Sequence, residues 1–389
     1  MSVFSEKTPP QSPLSPNSAH KGKKLKAIGG ASPLHLETMM KSGDGKPSYV
    51  FDELKEVCTL GTGSFGTVKL VHHESSGHAM ALKILKKDTI VEFRQEKNIL
   101  SEKDLLLECT RCPFIINLIS TFNFPNKLCM LLELVQGGEL LTHLYDRSDT
   151  IPKSSFGGFS IDCNIFYTAN ILLAFEFMHS KGISYRDLKP ENILVNNDGY
   201  IKLADFGFAK VLPYTTPDNQ LITKTYTIVG SPEYMAPEML NNLGYDNGVD
   251  YWSLGCLIYE LVFANSLFAD RSGYPLLTQE NIRKCSKESI SDSFPEQFRE
   301  DHSALYQLAL SFLAPDPAER AGFKDMTTIR SSAIFTSDYW SQVEARQIKP
   351  FYVPSLEHHL DTSNFFDFDE EEEEQDVHFE GDQSVFDLF

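Results

Sequence analysis

A chain of 389 residues with 41% hydrophobic content can bury a substantial core, either as one two-lobed domain with tails or as two or three domains. Its net charge of −19 argues against a general nucleic-acid binder, and seven irregularly spaced cysteines suggest reduced thiols in a cytoplasmic or nuclear protein. No apolar stretch approaches a membrane span, no apolar signal core opens the chain, and Met1-Ser2 lacks the glycine needed for myristoylation.

Residues 1–48 are rich in Ser, Pro, Gly and Lys and are expected to form a mobile tail, because they offer too little apolar surface to offset ordering entropy. Lys21, Lys23, Lys24 and Lys26 read as part of a solvated tail, with nuclear import or an anionic surface as the alternative. From Phe51 the pattern becomes strand-like. Leu60-Gly-Thr-Gly-Ser-Phe-Gly-Thr-Val68 lies between two strands. A dinucleotide-binding fold needs a helix directly after such glycines, whereas here Val68, Leu70 and His72 alternate with Thr67, Lys69 and Val71. A strand–loop–strand hairpin over nucleotide phosphates fits better, with glycine allowing close backbone approach.

Lys83 follows on the next strand, Ala79 to Leu85, at the spacing expected for a phosphate-gripping lysine. Residues 88–108 read as one helix, and Glu96 is the preferred partner of Lys83, with Glu92 as the alternative. Cys109 and Cys112 form a lone CxxC at the end of this pattern; packing is favoured over redox chemistry. Ile115 to Ser120 and Leu128 to Val135 complete the strands of a small lobe. Residues 146–160 read as an extra surface loop, and Ile161 to His179 as a buried helix that gives His179 no chemical role.

Tyr185-Arg-Asp-Leu-Lys-Pro-Glu-Asn192 then places two acids, a lysine and an asparagine in a short proline-stiffened span. A hairpin with the turn Asn196 to Gly199 leads to Asp205-Phe-Gly207. Phosphoryl transfer needs such a set: a carboxylate to accept a hydroxyl proton, oxygen ligands for Mg²⁺, and a cation to offset phosphate charge. Ser231-Pro-Glu-Tyr-Met-Ala-Pro-Glu238 and Asp250-Tyr-Trp-Ser-Leu-Gly255 follow in order. Toward the C-terminus stand Pro350-Phe-Tyr-Val-Pro354, Asp361-Thr-Ser-Asn-Phe365, an acidic run at 367 and 369–374, and Phe386-Asp-Leu-Phe389.

From about Phe51 onward these motifs resemble the AGC-group Ser/Thr protein kinases, most closely the catalytic subunits of cAMP-dependent kinases. The resemblance implies an α+β bilobal protein kinase fold. A small antiparallel β-sheet lobe with one main helix (51–135) would precede a larger, mainly helical lobe (136–335), followed by an AGC-type tail (336–389). It also implies ATP and Mg²⁺ as cofactors. Asp187 would accept the substrate proton, Lys189 would stabilise the migrating phosphoryl group, and Asn192 and Asp205 would ligate Mg²⁺. Lys83, held by Glu96, would grip phosphates beneath Gly61, Thr62, Gly63, Ser64, Phe65 and Gly66. Leu60, Val68, Ala81 and Leu194 would enclose adenine, with Phe365 reaching over and the connector Glu133 to Val135 meeting its edge.

The same resemblance directs Glu139, Glu191 and Glu260 to substrate arginines two and three positions before the target Ser/Thr, with Glu139 also bordering the nucleotide. Tyr234 would line the peptide site. Thr227 would carry an activating phosphate neutralised by Arg186 and Lys210. Ser231 stands in place of the usual threonine and should make the same hydrogen bond. Basic protein substrates and a cAMP-binding regulatory subunit or pseudosubstrate inhibitor are the implied partners. Several departures stand out: residues 212–221 look inserted, Glu92 replaces a phosphate-reading histidine, Tyr226 replaces a docking tryptophan, and Asn265 to Phe294 match poorly. Phe386 and Phe389 are expected to dock on the small lobe. A kinase not controlled by cAMP and a nucleotide-binding pseudokinase scaffold are the competing readings.

Overall fold

The structure, a computed structural model, describes residues 49–146, 150–212, 214–215, 221–322, 326–368 and 379–389. The expected N-terminal tail and acidic residues 369–374 lie outside these ranges. Five antiparallel strands form the small lobe: β1 (Leu54–Gly63), β2 (Gly66–His73), β3 (Ala79–Lys86), β4 (Leu118–Asn123) and β5 (Lys127–Glu133), in spatial order β1-β2-β3-β5-β4. Strand alternation decides which β3 side chains face the cleft. Met80 and Leu82 pack with Leu54, Val71, Cys129 and Leu131 on one face, whereas Ala81 and Leu85 join the main core on the other. Lys83 shares the parity of Ala81 and Leu85, and its backbone is paired with Val68 on β2 and Met130 on β5.

The single helix expected over 88–108 is two. Helix α1 (Lys87–Glu92) stops before Arg94, whose φ of 55° is incompatible with a continuing right-handed helix, and α2 (Glu96–Cys109) restarts beyond it. The strand expected from Ile115 is displaced to Leu118–Asn123, leaving Ile115 in an isolated bridge to Leu203.

The larger lobe is built on α3 (Leu140–Tyr145), α4 (Ile161–Ser180), α5 (Gly248–Phe263), α6 (Pro275–Lys284) and α7 (Ser303–Phe312). Helix α4 is buried nearly all round, as its continuous hydrophobicity requires, and Ser160 caps its start by accepting from Cys163 N. The loop expected on the surface before α4 is partly core: Ile151 and Phe159 are fully buried, and Phe156 stacks edge-on against Phe263 and Phe298. Aromatic rings earn their place there through burial, which outweighs the polar composition around them. Part of the insertion expected at 212–221 is a small antiparallel pair, Tyr214–Thr215 with Leu221–Ile222.

Two short strand pairs complete the lobe. Strands β7 (Ile193–Val195) and β8 (Ile201–Leu203) form the hairpin below the cleft, while β6 (Ile183–Ser184) pairs with β9 (Lys210–Val211) beside the catalytic loop. Arg320 is buried against Glu238, donating at 2.7 and 3.1 Å, and lies over the Trp252 ring. All seven cysteines are free. Burial raises the Cys109 and Cys112 thiols to about 12 and about 11, so this CxxC is packing material with little thiolate at neutral pH.

Candidate active site

Lys83 donates to Glu102 Oε1 at 2.6 Å, and its ammonium lies 4.0 Å from Asp205 Oδ1. Glu102, not Glu96, is therefore the helix acid beneath the lysine. Glu96 opens α2, whereas Glu102 stands six residues, or about 9 Å, further along the axis. The buried positions of α2 are Ile99, Glu102, Leu105, Leu106 and Cys109, and a carboxylate on that apolar stripe was the signal available in the sequence. Burial opposes the charge on Lys83, but Glu102 and Asp205 outweigh it and raise the lysine's pKa. Glu92 is exposed at the end of α1.

Asp187 is almost fully buried and uses both carboxylate oxygens. Oδ1 accepts from Ser231 N at 3.1 Å and from Ser231 Oγ at 3.2 Å; Oδ2 accepts from Asn192 Nδ2 at 2.8 Å and lies 3.2 Å from Lys189 Nζ. Lys189 also donates to Ser231 Oγ at 3.1 Å. Serine thus makes the hydrogen bond expected of it. Burial raises the Asp187 carboxyl above the ordinary range, partly offset by Lys189 and Asn192.

The catalytic loop is held from below by Asp250, at the start of α5. Its carboxylate accepts from Tyr185 N at 2.9 Å and Arg186 N at 2.7 Å, and it lies 2.8 Å from His179 Nε2. His179 accordingly orients the acid that orients the loop, a structural role its place in an apolar helix did not reveal. Arg186 adopts φ 70° and Asp205 φ 55°, so the two are set by surrounding contacts and not by intrinsic preference.

The glycine-rich turn closes the top of the cleft. A Cβ on Gly61 would meet nothing within 4 Å, whereas one on Gly66 would lie 1.8 Å from Ile84 O; the first glycine leaves open space and the second permits strand crossing. Thr62, Gly63 and Ser64 are exposed and Phe65 half-buried at its tip. Leu60, Val68 and Leu194 are half-buried and pack against the same core that holds buried Ala81. Below it, Glu133 is tied to Lys202 Nζ at 2.6 Å and to Asn117 N at 2.7 Å, while Val135 is buried. The C-terminal tail crosses here. Gln136 donates to Asp361 O at 3.0 Å, and Asn364 donates to Gln136 O at 2.9 Å, delivering half-buried Phe365 beside the connector.

These residues suit a nucleotide and a hard cation. Asn192 directs its amide nitrogen to Asp187, which leaves its carbonyl oxygen as a ligand, and Asp205 is more than half exposed. Among the described residues no group of three or more His, Cys, Asp or Glu side chains could hold a metal alone. A hard cation such as Mg²⁺ takes one or two protein oxygens and completes its shell from phosphates and water, and the Asn192 and Asp205 side chains would supply such oxygens.

The three expected substrate acids converge, joined by Glu233, which the motif reading passed over. Desolvation raises the pKa of buried Glu260 and half-buried Glu139, and that of exposed Glu191 moves the same way against stronger solvent screening. Mutual charge adds to it: Glu191 acts on Glu139 and Glu260, and Glu233 acts on Glu191 and Glu260. Buried Glu260 accepts from Tyr145 Oη at 2.9 Å and from buried Tyr234 Oη.

In the activation segment, Thr227 is exposed. Lys210 Nζ donates to Thr225 Oγ1 at 3.1 Å, and that hydroxyl is 3.3 Å from Thr227 Oγ1. Arg186 donates to Phe208 O at 2.7 Å and to Tyr245 Oη at 3.0 Å, and Tyr245 in turn donates to Thr227 O. Thr225 is thus the hydroxyl directly on Lys210, one step short of Thr227.

Comparison with known proteins agrees with this architecture. Residues 54–330 match the protein kinase domain model. The chain is 36% identical over 323 residues to the human cAMP-dependent protein kinase catalytic subunit PRKX, covering 82% of each. It is 34% identical over 363 residues to the cAMP-dependent protein kinase type 3 of Saccharomyces cerevisiae, covering 92% of this chain and 84% of that one. It is 39% identical over 319 residues to Drosophila melanogaster cGMP-dependent protein kinase isozyme 2 forms cD5/T2, but spans only 32% of that protein's length. With a domain match over most of its length and cyclic-nucleotide-dependent kinases aligned across four-fifths of it, this chain belongs to the protein kinase family.

Proposed function

We propose that this chain is an ATP- and Mg²⁺-dependent protein serine/threonine kinase of the AGC group, acting on Ser/Thr preceded by arginine two and three positions upstream. The observation that carries this reading is the Lys83–Glu102 pair beside Asp205, tied to the Asp187–Lys189–Asn192 cluster by Ala204, which precedes Asp205 and donates its backbone N–H to Asn192 O at 2.9 Å. Asp187 orients the substrate hydroxyl and accepts its proton; Ser231 and Asn192 fix its carboxylate before substrate arrives. Lys189 offsets charge that develops on the transferring group, and Lys83, steadied by Glu102, holds phosphate oxygens. Asn192 and Asp205 would hold Mg²⁺, which neutralises phosphate charge when bound. Leu60, Val68, Ala81, Leu194 and Phe365 enclose the base.

Arginine preference is supported by the acidic strip of Glu139, Glu191, Glu233 and Glu260, because guanidinium pairs with carboxylates in a planar fork. Phosphorylation of Thr227 would draw on Lys210 and Arg186 to order the segment. A cAMP-binding regulatory subunit is the regulatory partner this reading favours, since relatives matched over most of their length are named cAMP-dependent catalytic subunits. Release of activity by cAMP from a complex with such a subunit tests that point; persistent activity in the complex leaves a kinase under other control. For the catalytic reading, Asp187→Ala should bind Mg·ATP yet lose about 10²- to 10⁴-fold in peptide phosphorylation. Unchanged turnover of an arginine-containing peptide excludes it.

A further inference from the structure

We propose that Tyr145 is a positioning residue for the arginine subsite, fixing the Glu260 carboxylate so that one substrate guanidinium can meet both oxygens. This rests on the arginine-directed reading above. Glu260 lies within α5 and is only 4% exposed, so its orientation is set by what touches it. Tyr145, the last residue of α3, donates to Oε1 at 2.9 Å; Tyr234, in the turn Pro232–Tyr234 near the end of the activation segment, donates to Oε2. Two elements thus clamp the carboxylate plane from two directions.

Chemistry makes this clamp useful. An ionised carboxylate offers about four lone-pair sites, so one hydroxyl on each oxygen leaves each oxygen a further acceptor site. A planar guanidinium donates to two oxygens at once, and only a carboxylate held in one orientation receives both bonds without an ordering cost. Both clamping groups are neutral, so neither offsets the negative charge of an ionised Glu260. Among the described residues no Lys, Arg or His comes within ion-pair distance of Glu191, Glu233 or Glu260.

A purely structural role for Tyr145 fits less well. Its side chain is half exposed, at 50%, and it contributes little to the core, so its hydroxyl contact is the feature to explain. Tyr234, by contrast, is buried and packs within the core.

Tyr145→Phe keeps the ring and removes the hydroxyl. Steady-state kinetics with a peptide carrying both arginines, and with two versions in which one arginine is alanine, should show KM for the parent rising about tenfold, as loss of a hydrogen bond to a charged group predicts. kcat should be unchanged, and the effect should vanish for one of the two alanine peptides. An unchanged KM, or an equal rise for all three peptides, overturns the role given to Tyr145. Glu260→Gln, assayed in parallel, separates the two levels. If it abolishes discrimination between arginine and alanine while Tyr145→Phe preserves it, only the Tyr145 proposal fails; if it too preserves discrimination, the arginine reading of Glu260 fails with it.

Discussion

Two carboxylates a short distance apart on one helix separate position from identity. Glu102 sits on the buried stripe of α2 and meets Lys83; Glu96 sits at the helix start, away from it. Glu102→Ala should lower kcat/KM for peptide phosphorylation by about 10²-fold, the cost of an ångström-scale misplacement of Lys83. Glu96→Ala should change it by about twofold or less, as for most surface substitutions. A reversed order in a paired assay of these variants contradicts the assignment. Asp187 sets the pH response. Its carboxyl is held above the ordinary range by burial, and a general base must be ionised to work. Activity should therefore be full above that raised pKa and fall as pH drops through it, with the acid limb of kcat/KM lying higher than for an ordinary aspartate. The sign for stability is opposite: the folded state holds this proton more tightly than the unfolded chain, so Asp187 makes folding more favourable as pH falls through the same window. A pH–rate profile beside pH-dependent melting checks both signs.

Elements act here by carrying one another. The C-terminal segment docks on the small lobe as its two terminal aromatics demanded. Phe386 is fully buried beside Phe379, with ring centroids 5.9 Å apart, and Phe389 is partly buried against the same core. Lys87, buried at the start of α1, lies 4.9 Å from the Phe386 ring and donates to Gln383 Oε1 at 2.6 Å and Asn123 Oδ1 at 2.7 Å. Asn123 closes the ring of contacts by donating to Phe386 O. Lys103 of α2 donates to Leu388 O, so helices α1 and α2 and strand β4 are joined through the tail. Phe386→Ala should weaken that docking by about 3–5 kcal/mol, the usual cost of deleting a core phenylalanine. Faster hydrogen exchange across residues 379–389 and α2, with reduced activity, is the expected readout; unchanged exchange shows that the tail does not brace the helix. The same logic applies to Asp250, which joins α4, α5 and the catalytic loop through His179, Tyr185 and Arg186.

At the scale of the whole molecule, the large lobe closes through the buried Arg320–Glu238 pair, which ties the end of the activation segment to a loop more than eighty residues later. Removing one partner strands a buried charge, so Arg320→Ala should cost about 3–5 kcal/mol, whereas replacing both partners with apolar side chains of similar volume should recover much of that loss. Thermal melting of the single and double variants decides it; equal losses in both show that desolvated charge is not the cause. Arg320 carried no signal in the sequence, because a salt bridge between distant positions leaves no local pattern. Local chemistry was the readable part. Glycines beside strands, alternation along β3, the near-continuous apolar run of α4 and the hydrogen-bonding groups of Asp187 to Asn192 each follow from spacing and residue type, while the two-lobed fold was implied by the resemblance these motifs carry to AGC-group kinases. Tertiary structure alone decided that Asp250 and His179 hold the catalytic loop, that Ile151 and Phe159 leave the surface, and that Tyr145 and Tyr234 clamp Glu260, whereas the pairing of Glu102 with Lys83 left a trace in the apolar stripe of α2. Periodicity records the face a side chain occupies, but the partner across that face is chosen only when helices and strands distant in the chain are packed together.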